Sequence, residues 1–328
     1  MKTHGIRHAL RSFTERPYDP VVPTQQELEA AFCWDPEDRV PRRPEMTEFR
    51  RTIRFHQAQW RARHGHPVGS QPIAPNGKPS RPVGSRLPLD YARDTGANFL
   101  TPAALAAVHQ RISVIEPNQS VDQQRLWADL LWSPALAFNL FGDLAADLDL
   151  ADRLVRSWWP DAPGRVVEVR FAHSPGWLDP SYLKSLRAFD AAFVLEGGIV
   201  AVDVKYHERA KAEIPRPENL ARYIEVARRS GAFADGAVDA VKGKSDLAVM
   251  WLEHLLLHSM LQHESGVWRW GRYLVVHPAG NSDVADMADR YRKLLADDAT
   301  FATLTLENLL RSGVLPAANA LRERYVPA

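Results

Sequence analysis

The stretches AFDAAFVLE at 188–196 and GIVAVDVKY at 198–206 decide the fold, because they predict two neighbouring β-strands. Both are rich in β-branched and aromatic residues, which favour extended structure, and Gly197 lies in the turn between them. Apolar residues fill almost every position of both stretches, which is typical of inner strands that are covered on both faces. We therefore predict a hairpin at the centre of a buried sheet.

Charged residues gather at the open end of this hairpin. Asp203 and Lys205 stand two apart, so the alternation of side chains along a strand places them on the same face. Pairing about Gly197 sets Asp190 opposite Val204, and a shift of one residue in either direction sets it opposite Asp203 or Lys205. Two carboxylates without a cysteine suit a hard divalent cation such as Mg²⁺. The competing interpretation is a rim salt bridge between Asp190 and Lys205, with Asp203 solvated.

Helical and strand patterns surround the hairpin. Residues 100–158 predict a layer of helices, and residues 165–173 predict the strand that precedes the hairpin. After it we predict one strand over 271–278 and helices over 218–230, 245–264, 283–296 and 303–312. This order indicates an α/β (α+β) fold in which helices flank a mixed β-sheet.

The first 90 residues differ in composition from the rest. They hold 15 Lys+Arg, 10 Asp+Glu and 12 of the 24 prolines. Residues 45–63 predict an amphipathic helix with a basic outer side, and the Pro/Gly/Ser-rich stretch at 64–88 predicts an extended connector. We predict a basic, Pro-rich extension over 1–118 whose helices wrap a core domain over 119–328.

Composition excludes several classes of protein. The chain has 328 residues, a formal net charge of +1 and a single cysteine, which rules out an internal disulfide framework and Cys-based metal sites. It has no apolar stretch of the length that a membrane span needs and no secretory signal, so we expect a cytoplasmic protein without a membrane partner. Arginine makes up most of the 41 basic residues, which permits a polyanionic partner.

Other motifs carry less information. His254 and His258 have the spacing of a zinc pair but lack the HExxH order, and Gly243-Lys244-Ser245 lacks the first glycine of a P-loop. Packed or solvated histidines are the simpler interpretation of the pair. His173, in HSPGW, ends the first strand near the charged cluster and could contact substrate, but a turn residue that merely closes the strand is the preferred interpretation.

One resemblance connects these residues. Phe189-Asp190, followed after twelve residues by Asp203-Val204-Lys205, resembles the PD-(D/E)XK nuclease superfamily, whose core is α-β-β-β-α-β. Phe189 stands where the motif name has proline. Further stretches are similar to one group of bacterial restriction-endonuclease-like proteins, over most of residues 49–312: FRRTIRFHQAQWRARHGHPVGS, ANFLTPAA, LWSPALAFNLFGDL, FAHSPGWLDP and VDVKYHE.

The resemblance implies a site. Asp190 and Asp203 would bind the metal, Mg²⁺ or Mn²⁺ in its place, and the main-chain carbonyl of Val204 would complete its shell. Lys205 would serve the attacking water. Many members add an acid from the first core helix, and three acids stay open for that role here: Asp129, Asp143 and Glu168.

The resemblance also implies a function. We expect a metal-dependent endonuclease that hydrolyses DNA, most readily duplex DNA, in restriction, defence or DNA processing. Two active sites often cut two strands, which is compatible with a homodimer. Arginines and lysines between 209 and 229 would lie along the nucleic-acid backbone. The alternatives are a catalytically inactive nuclease fold kept as a nucleic-acid-binding or regulatory subunit, and a nuclease directed at RNA or branched DNA.

Overall fold

The structure is a computed structural model that describes residues 22–33, 48–71, 80–114, 116, 118 and 121–327. Much of the predicted extension, residues 1–21, 34–47 and 72–79, lies outside the described residues, as does the start of the helix predicted over 45–63. The predicted domain boundary at residue 118 stays a prediction.

Before the main sheet the described chain is mostly helical. Thr101 caps one helix by accepting a hydrogen bond from the Ala104 N–H, with Pro102 at the first helical position. The layer predicted over 100–158 is confirmed. The elements are α1 (Gln25–Ala30), α2 (Glu48–Arg63), β1 (Gly69–Ser70), β2 (Pro82–Val83), α3 (Leu89–Thr95), α4 (Pro102–Ser113), α5 (Gln123–Ala128), α6 (Ser133–Ala146) and α7 (Leu148–Trp158).

A five-stranded mixed sheet forms the centre of the described chain, with strand order β3-β4-β5-β6-β7. The first three strands are antiparallel, and the last three are parallel to one another. A short 3₁₀ turn, Pro217–Asn219, leads into α8. The elements are β3 (Val166–His173), β4 (Phe189–Leu195), β5 (Gly198–Val204), α8 (Leu220–Ser230), α9 (Ala237–Val241), α10 (Ala248–Leu261), β6 (Trp270–His277), α11 (Ser282–Arg292), β7 (Phe301–Thr305), α12 (Leu306–Leu310) and α13 (Ala318–Tyr325).

The turn of the central hairpin sets its register. Leu195 pairs with Gly198, so the turn consists of two residues, Glu196 and Gly197. The predicted pairing of Asp190 with Val204 is therefore wrong by one residue. Ala191 pairs with Val202, and continuing this register brings Asp190 level with Asp203.

The sheet is buried on both faces, as predicted. Every residue of β5 is buried. Phe193 and Val200 face one apolar cluster, which includes α6 and α7, whereas Ile199 and Ala201 face a second cluster, which includes α8, α10 and α11. A polar group on the central strand β5 therefore reaches solvent only where the strand ends.

The last strand of the sheet includes residues for which the sequence predicts a helix. Residues 303–312 were expected to form a helix, but Phe301–Thr305 form β7, which pairs in parallel with β6. Thr305 then caps the short helix α12 by accepting a hydrogen bond from the Asn308 N–H, at 3.3 Å. Helix period and strand alternation overlap within FATLTLENLL, and pairing with β6 decides between them.

Two arginines of helix α2 are buried, whereas the sequence predicts a basic outer side for this helix. Arg54 is 1% exposed and Arg61 is buried, where its Nε donates to the Gly84 carbonyl at 2.9 Å. Gln57, on the same helix, donates to the Tyr206 hydroxyl at 2.9 Å and to the Arg324 carbonyl. Helix α2 thus ties the C-terminal helix to the residue that follows Lys205.

The histidine pair belongs to the core. His254 lies between the Tyr291 hydroxyl (2.9 Å) and the Thr300 hydroxyl (2.8 Å), and its ring stacks on Tyr273. Burial lowers the pKa of His254 well below its usual value and that of His258 to about 4. Both imidazoles are therefore neutral near pH 7.

Among the described residues, no helix combines the length and apolar character needed to cross a membrane.

These neutral histidines make stability depend on pH. A histidine with an ordinary pKa in the unfolded chain and about 4 in the fold contributes full stability above pH 6.5 and loses it as the pH falls towards 4. His258→Leu should therefore flatten the plot of unfolding free energy against pH in this interval, by about 1.4 kcal/mol per pH unit. Urea unfolding at pH 7, 6 and 5 measures this slope. His109→Leu, at an exposed position, should leave it unchanged, and equal slopes in wild type and His258→Leu would contradict the assignment.

Candidate active site

The structure brings the three predicted site residues together at the carboxyl end of β5. The Lys205 Nζ lies 2.5 Å from the Asp203 Oδ2. An Asp190 oxygen accepts a hydrogen bond from the Val204 N–H at 2.8 Å, and Asp190 also hydrogen-bonds Asp203. The competing interpretation, in which Lys205 pairs with Asp190, is wrong, because Lys205 pairs with Asp203 and Asp203 is only 4% exposed.

A fourth member, Glu253, comes from α10 and was not predicted. It is 5% exposed, and its Oε2 accepts a hydrogen bond from the Tyr273 hydroxyl at 2.8 Å. Its Oε1 lies 3.8 Å from the Lys205 Nζ and 3.6 Å from an Arg187 nitrogen. The sequence did carry a signal, since Glu253 interrupts the apolar run WLEHLLL, where a buried carboxyl needs a polar partner.

Burial and mutual repulsion shift the pKa values of the acids in different directions. Burial and the charge of Asp203 raise the pKa of Asp190 well above its usual value and that of Glu253 to about 8. Burial alone would raise the pKa of Asp203, but Lys205 and the surrounding hydrogen bonds lower it. Asp203 is therefore the acid of the cluster that ionises most readily, with the Lys205 ammonium as its counter-charge.

The acids left open from the first helices and strand lie elsewhere. Asp129 caps α5, Asp143 lies within α6, and Glu168 lies on the edge strand β3. Each is held by a partner outside the cluster: Arg125 for Asp129 (3.2 Å), Thr101 for Asp143 (2.7 Å) and Arg170 for Glu168 (2.7 Å). These ion pairs and hydrogen bonds do not connect any of the three acids to Asp203 or Lys205.

The donor set fits a small divalent cation held by few protein ligands. Nowhere in the described ranges are three or more His, Cys, Asp or Glu side chains arranged to hold a metal ion. Asp190 and Asp203 do converge, and Mg²⁺ commonly takes one or two carboxylates with water in its other positions. A cation beside Asp190 would offset the repulsion from Asp203 that now favours its protonated form. The chemistry of the pair is therefore compatible with such an ion.

Comparison with known families identifies the superfamily of the chain. A family model described as the PD-(D/E)XK nuclease superfamily matches residues 44–327, most of the chain. The chain belongs to the PD-(D/E)XK nuclease superfamily. The five-stranded mixed sheet with flanking helices agrees with the restriction-endonuclease-like fold of that superfamily, so the predicted fold class is confirmed. No curated protein and no solved structure matches the chain.

The raised pKa of Glu253 predicts how its variants behave. At pH 6 the side chain is protonated, so Glu253→Gln replaces it with a neutral group of similar shape that still accepts from Tyr273. We expect this variant to unfold within about 1 kcal/mol of wild type, whereas Glu253→Ala should lose about 2–4 kcal/mol through the cavity and the loss of the 2.8 Å hydrogen bond, which leaves the Tyr273 hydroxyl with only a 3.4 Å contact to Asp203. Urea unfolding in EDTA measures both, with Glu264→Gln at an exposed position as the control. Equal losses in the Gln and Ala variants would show that Glu253 is ionised.

Proposed function

We propose that the chain is a metal-dependent endonuclease that hydrolyses phosphodiester bonds in DNA. The observation that carries this proposal is the convergence of Asp190, Asp203 and Lys205, with a 2.5 Å contact between the last two, in a member of a nuclease superfamily. These groups lie at the rim of a sheet that is otherwise apolar on both faces. Burying a charge in this position costs folding free energy unless an opposite charge or a bound ligand compensates it.

Each residue has a role that follows from its surroundings. Asp190 and Asp203 would hold Mg²⁺, or Mn²⁺ in its place, with the main-chain carbonyl of Val204. Such an ion stabilises charge on a phosphoryl oxygen and lowers the pKa of a bound water. The Val204 N–H holds the Asp190 carboxyl and the Lys205 ammonium holds that of Asp203, so the two groups that would bind the ion are positioned by the fold itself.

Lys205 acts as a hydrogen-bond donor rather than as a base. Burial alone would lower its pKa, but Asp203 and Glu253 raise it above the usual value for lysine. The ammonium therefore keeps its proton at neutral pH. In this state it can orient the attacking water or offset the negative charge that develops on the phosphoryl group.

The substrate and setting are part of the same proposal. Duplex DNA is the favoured substrate, cleaved in restriction, defence or DNA processing, in a cytoplasmic setting, and a homodimer would supply one site for each strand. Arg222 and Arg229 of α8 would contribute to a basic rim for the nucleic-acid backbone, although both also pair with Glu225. A backbone phosphate would compete with Glu225 for these arginines.

Substitutions at the cluster test the catalytic assignment. Asp190→Asn, Asp203→Asn and Lys205→Met should each lower the rate of plasmid cleavage by at least about 100-fold, because each removes a charge that acts in the transition state. The assay uses purified protein with plasmid, linear duplex, single-stranded DNA and RNA, with Mg²⁺, Mn²⁺ or EDTA. EDTA should abolish cleavage in wild type.

The exposed ion pair between Asp239 and Lys242, with a 2.6 Å contact, provides matched controls. Asp239→Asn and Lys242→Met repeat the same chemical changes away from the cluster and should retain full activity. Full cleavage by folded Lys205→Met protein would contradict the assignment. Tight duplex binding by wild type without cleavage in any of the metals would support the alternative, a nuclease fold kept as a nucleic-acid-binding or regulatory subunit.

A further inference from the structure

A second site lies beside β3, the edge strand of the sheet. A cavity of about 430 Å³ runs along this strand, and its volume is in the range of small-molecule sites. Its walls come from α4, from β3 and the segment that follows it, and from the residues just before β6. The lining residues that matter below are Arg111, Glu116, His173, Ser174, Tyr182 and Trp268.

Two adjacent polar atoms in this cavity have no partner. The Nε2 of His173 and the Oγ of Ser174 are both buried, and neither makes a hydrogen bond to any described residue. Burial, together with Arg170 and Arg111, lowers the pKa of His173 to about 3, so its ring is neutral at physiological pH. Buried polar atoms are almost always satisfied in folded proteins, so two adjacent unsatisfied atoms just behind the wall of a cavity mark a place where a small side-chain rotation would offer both to a ligand.

The charged groups of the cavity, in contrast, are already paired. The Arg111 guanidinium lies 3.2 Å from Glu116, whose carboxylate also accepts from the Trp177 indole at 2.9 Å. Arg170 lies 2.7 Å from Glu168. With both arginines compensated and His173 neutral, the walls offer no net charge for a phosphate or a carboxylate. They favour an uncharged ligand with hydrogen-bonding groups.

Two aromatic rings restrict the shape of that ligand. Tyr182 and Trp268 are both half-buried and line the cavity. Tyr182 is itself held in place by stacking on His263, with ring centroids 4.3 Å apart. Aromatic surfaces next to neutral donors and acceptors are suited to a flat heteroaromatic ring, which offers apolar faces and a polar edge.

The cavity reaches the same end of the sheet as the acidic cluster. His173 pairs directly with Phe189, the residue before Asp190. The backbone here is strained, since Ala172, Leu178 and Lys184 all have positive φ (45°, 58° and 55°) although none is glycine. Strained positions of this kind concentrate where a protein binds or processes a ligand.

We propose that this cavity binds one unstacked base of the substrate strand next to the cleavage site. His173 and Ser174 rotate slightly to hydrogen-bond the edge of the base, and the aromatic wall of the cavity, which includes Tyr182, covers its face. These residues then determine a preference for one base at that position. The assignment rests on the proposed function for its choice of ligand, but it is tested by binding alone. In a duplex the base must first leave the stack, so single-stranded DNA is the more direct probe.

The test is an abasic scan on the full-length protein in EDTA, where no cleavage occurs. Fluorescence anisotropy measures the affinity of single-stranded oligonucleotides that lack one base at successive positions. We expect affinity to fall at one position by roughly 5- to 100-fold, the effect of losing a stacked base. His173→Phe and Ser174→Ala should each weaken binding of the intact strand by roughly three- to tenfold and reduce the loss at that position.

The stability of these variants separates the proposal from a structural role. Each removes a buried polar atom without a partner, so the free protein should unfold at the same urea concentration as wild type or higher. His109→Ala, an exposed histidine on α4 outside the cavity, should leave both affinity and stability unchanged. A His173→Phe variant that loses stability and retains the affinity difference between intact and abasic strands would overturn the proposal.

Free nucleosides distinguish a substrate base from a separate effector. They should compete with the intact strand, whereas inorganic phosphate should not. A nucleoside that binds equally well to protein saturated with oligonucleotide would overturn the assignment to a substrate base. A uniform response to abasic positions would overturn it even if the protein cleaves DNA, and a position-specific response would uphold it even if no cleavage is found.

Discussion

The ion pair between Lys205 and Asp203 is the interaction on which the rest of the site depends. Both residues stand at the end of a strand that is buried over its whole length, so neither charge can be solvated as it would be at the surface. Glu253, from the helix α10 that covers that face, and Tyr273, from the neighbouring strand β6, complete the polar surroundings. A small change in the position of α10 relative to β5 would therefore alter the pKa values of Glu253 and Asp203, which depend on each other.

Much of this arrangement follows from sequence, because its causes are local. The alternation along a strand places Asp203 and Lys205 on one face, and a tight hairpin brings Asp190 close to them for any nearby register. The exact register depended on the turn, since two residues rather than one connect the strands. Fold class was predictable for the same reason, from the succession of helix and strand patterns.

What could not be predicted depends on packing between distant segments. Glu253 lies about fifty residues after Asp203 in sequence, and only the docking of α10 on the sheet brings its carboxyl to Lys205. β7 was missed because its identity as a strand is decided by pairing with β6. The buried arginine of α2, Arg54, was assigned to an outer face because sequence periodicity does not show that a second layer covers it.

The Arg111 guanidinium has a consequence for how this protein can associate. It donates to the main-chain carbonyls of both Phe171 and Ala172, at 2.7 and 3.1 Å, on the strand that borders the sheet. Those oxygens are the acceptors that an added strand from another chain would need. A strand from another chain could therefore pair with this end of β3 only if Arg111 released both carbonyls.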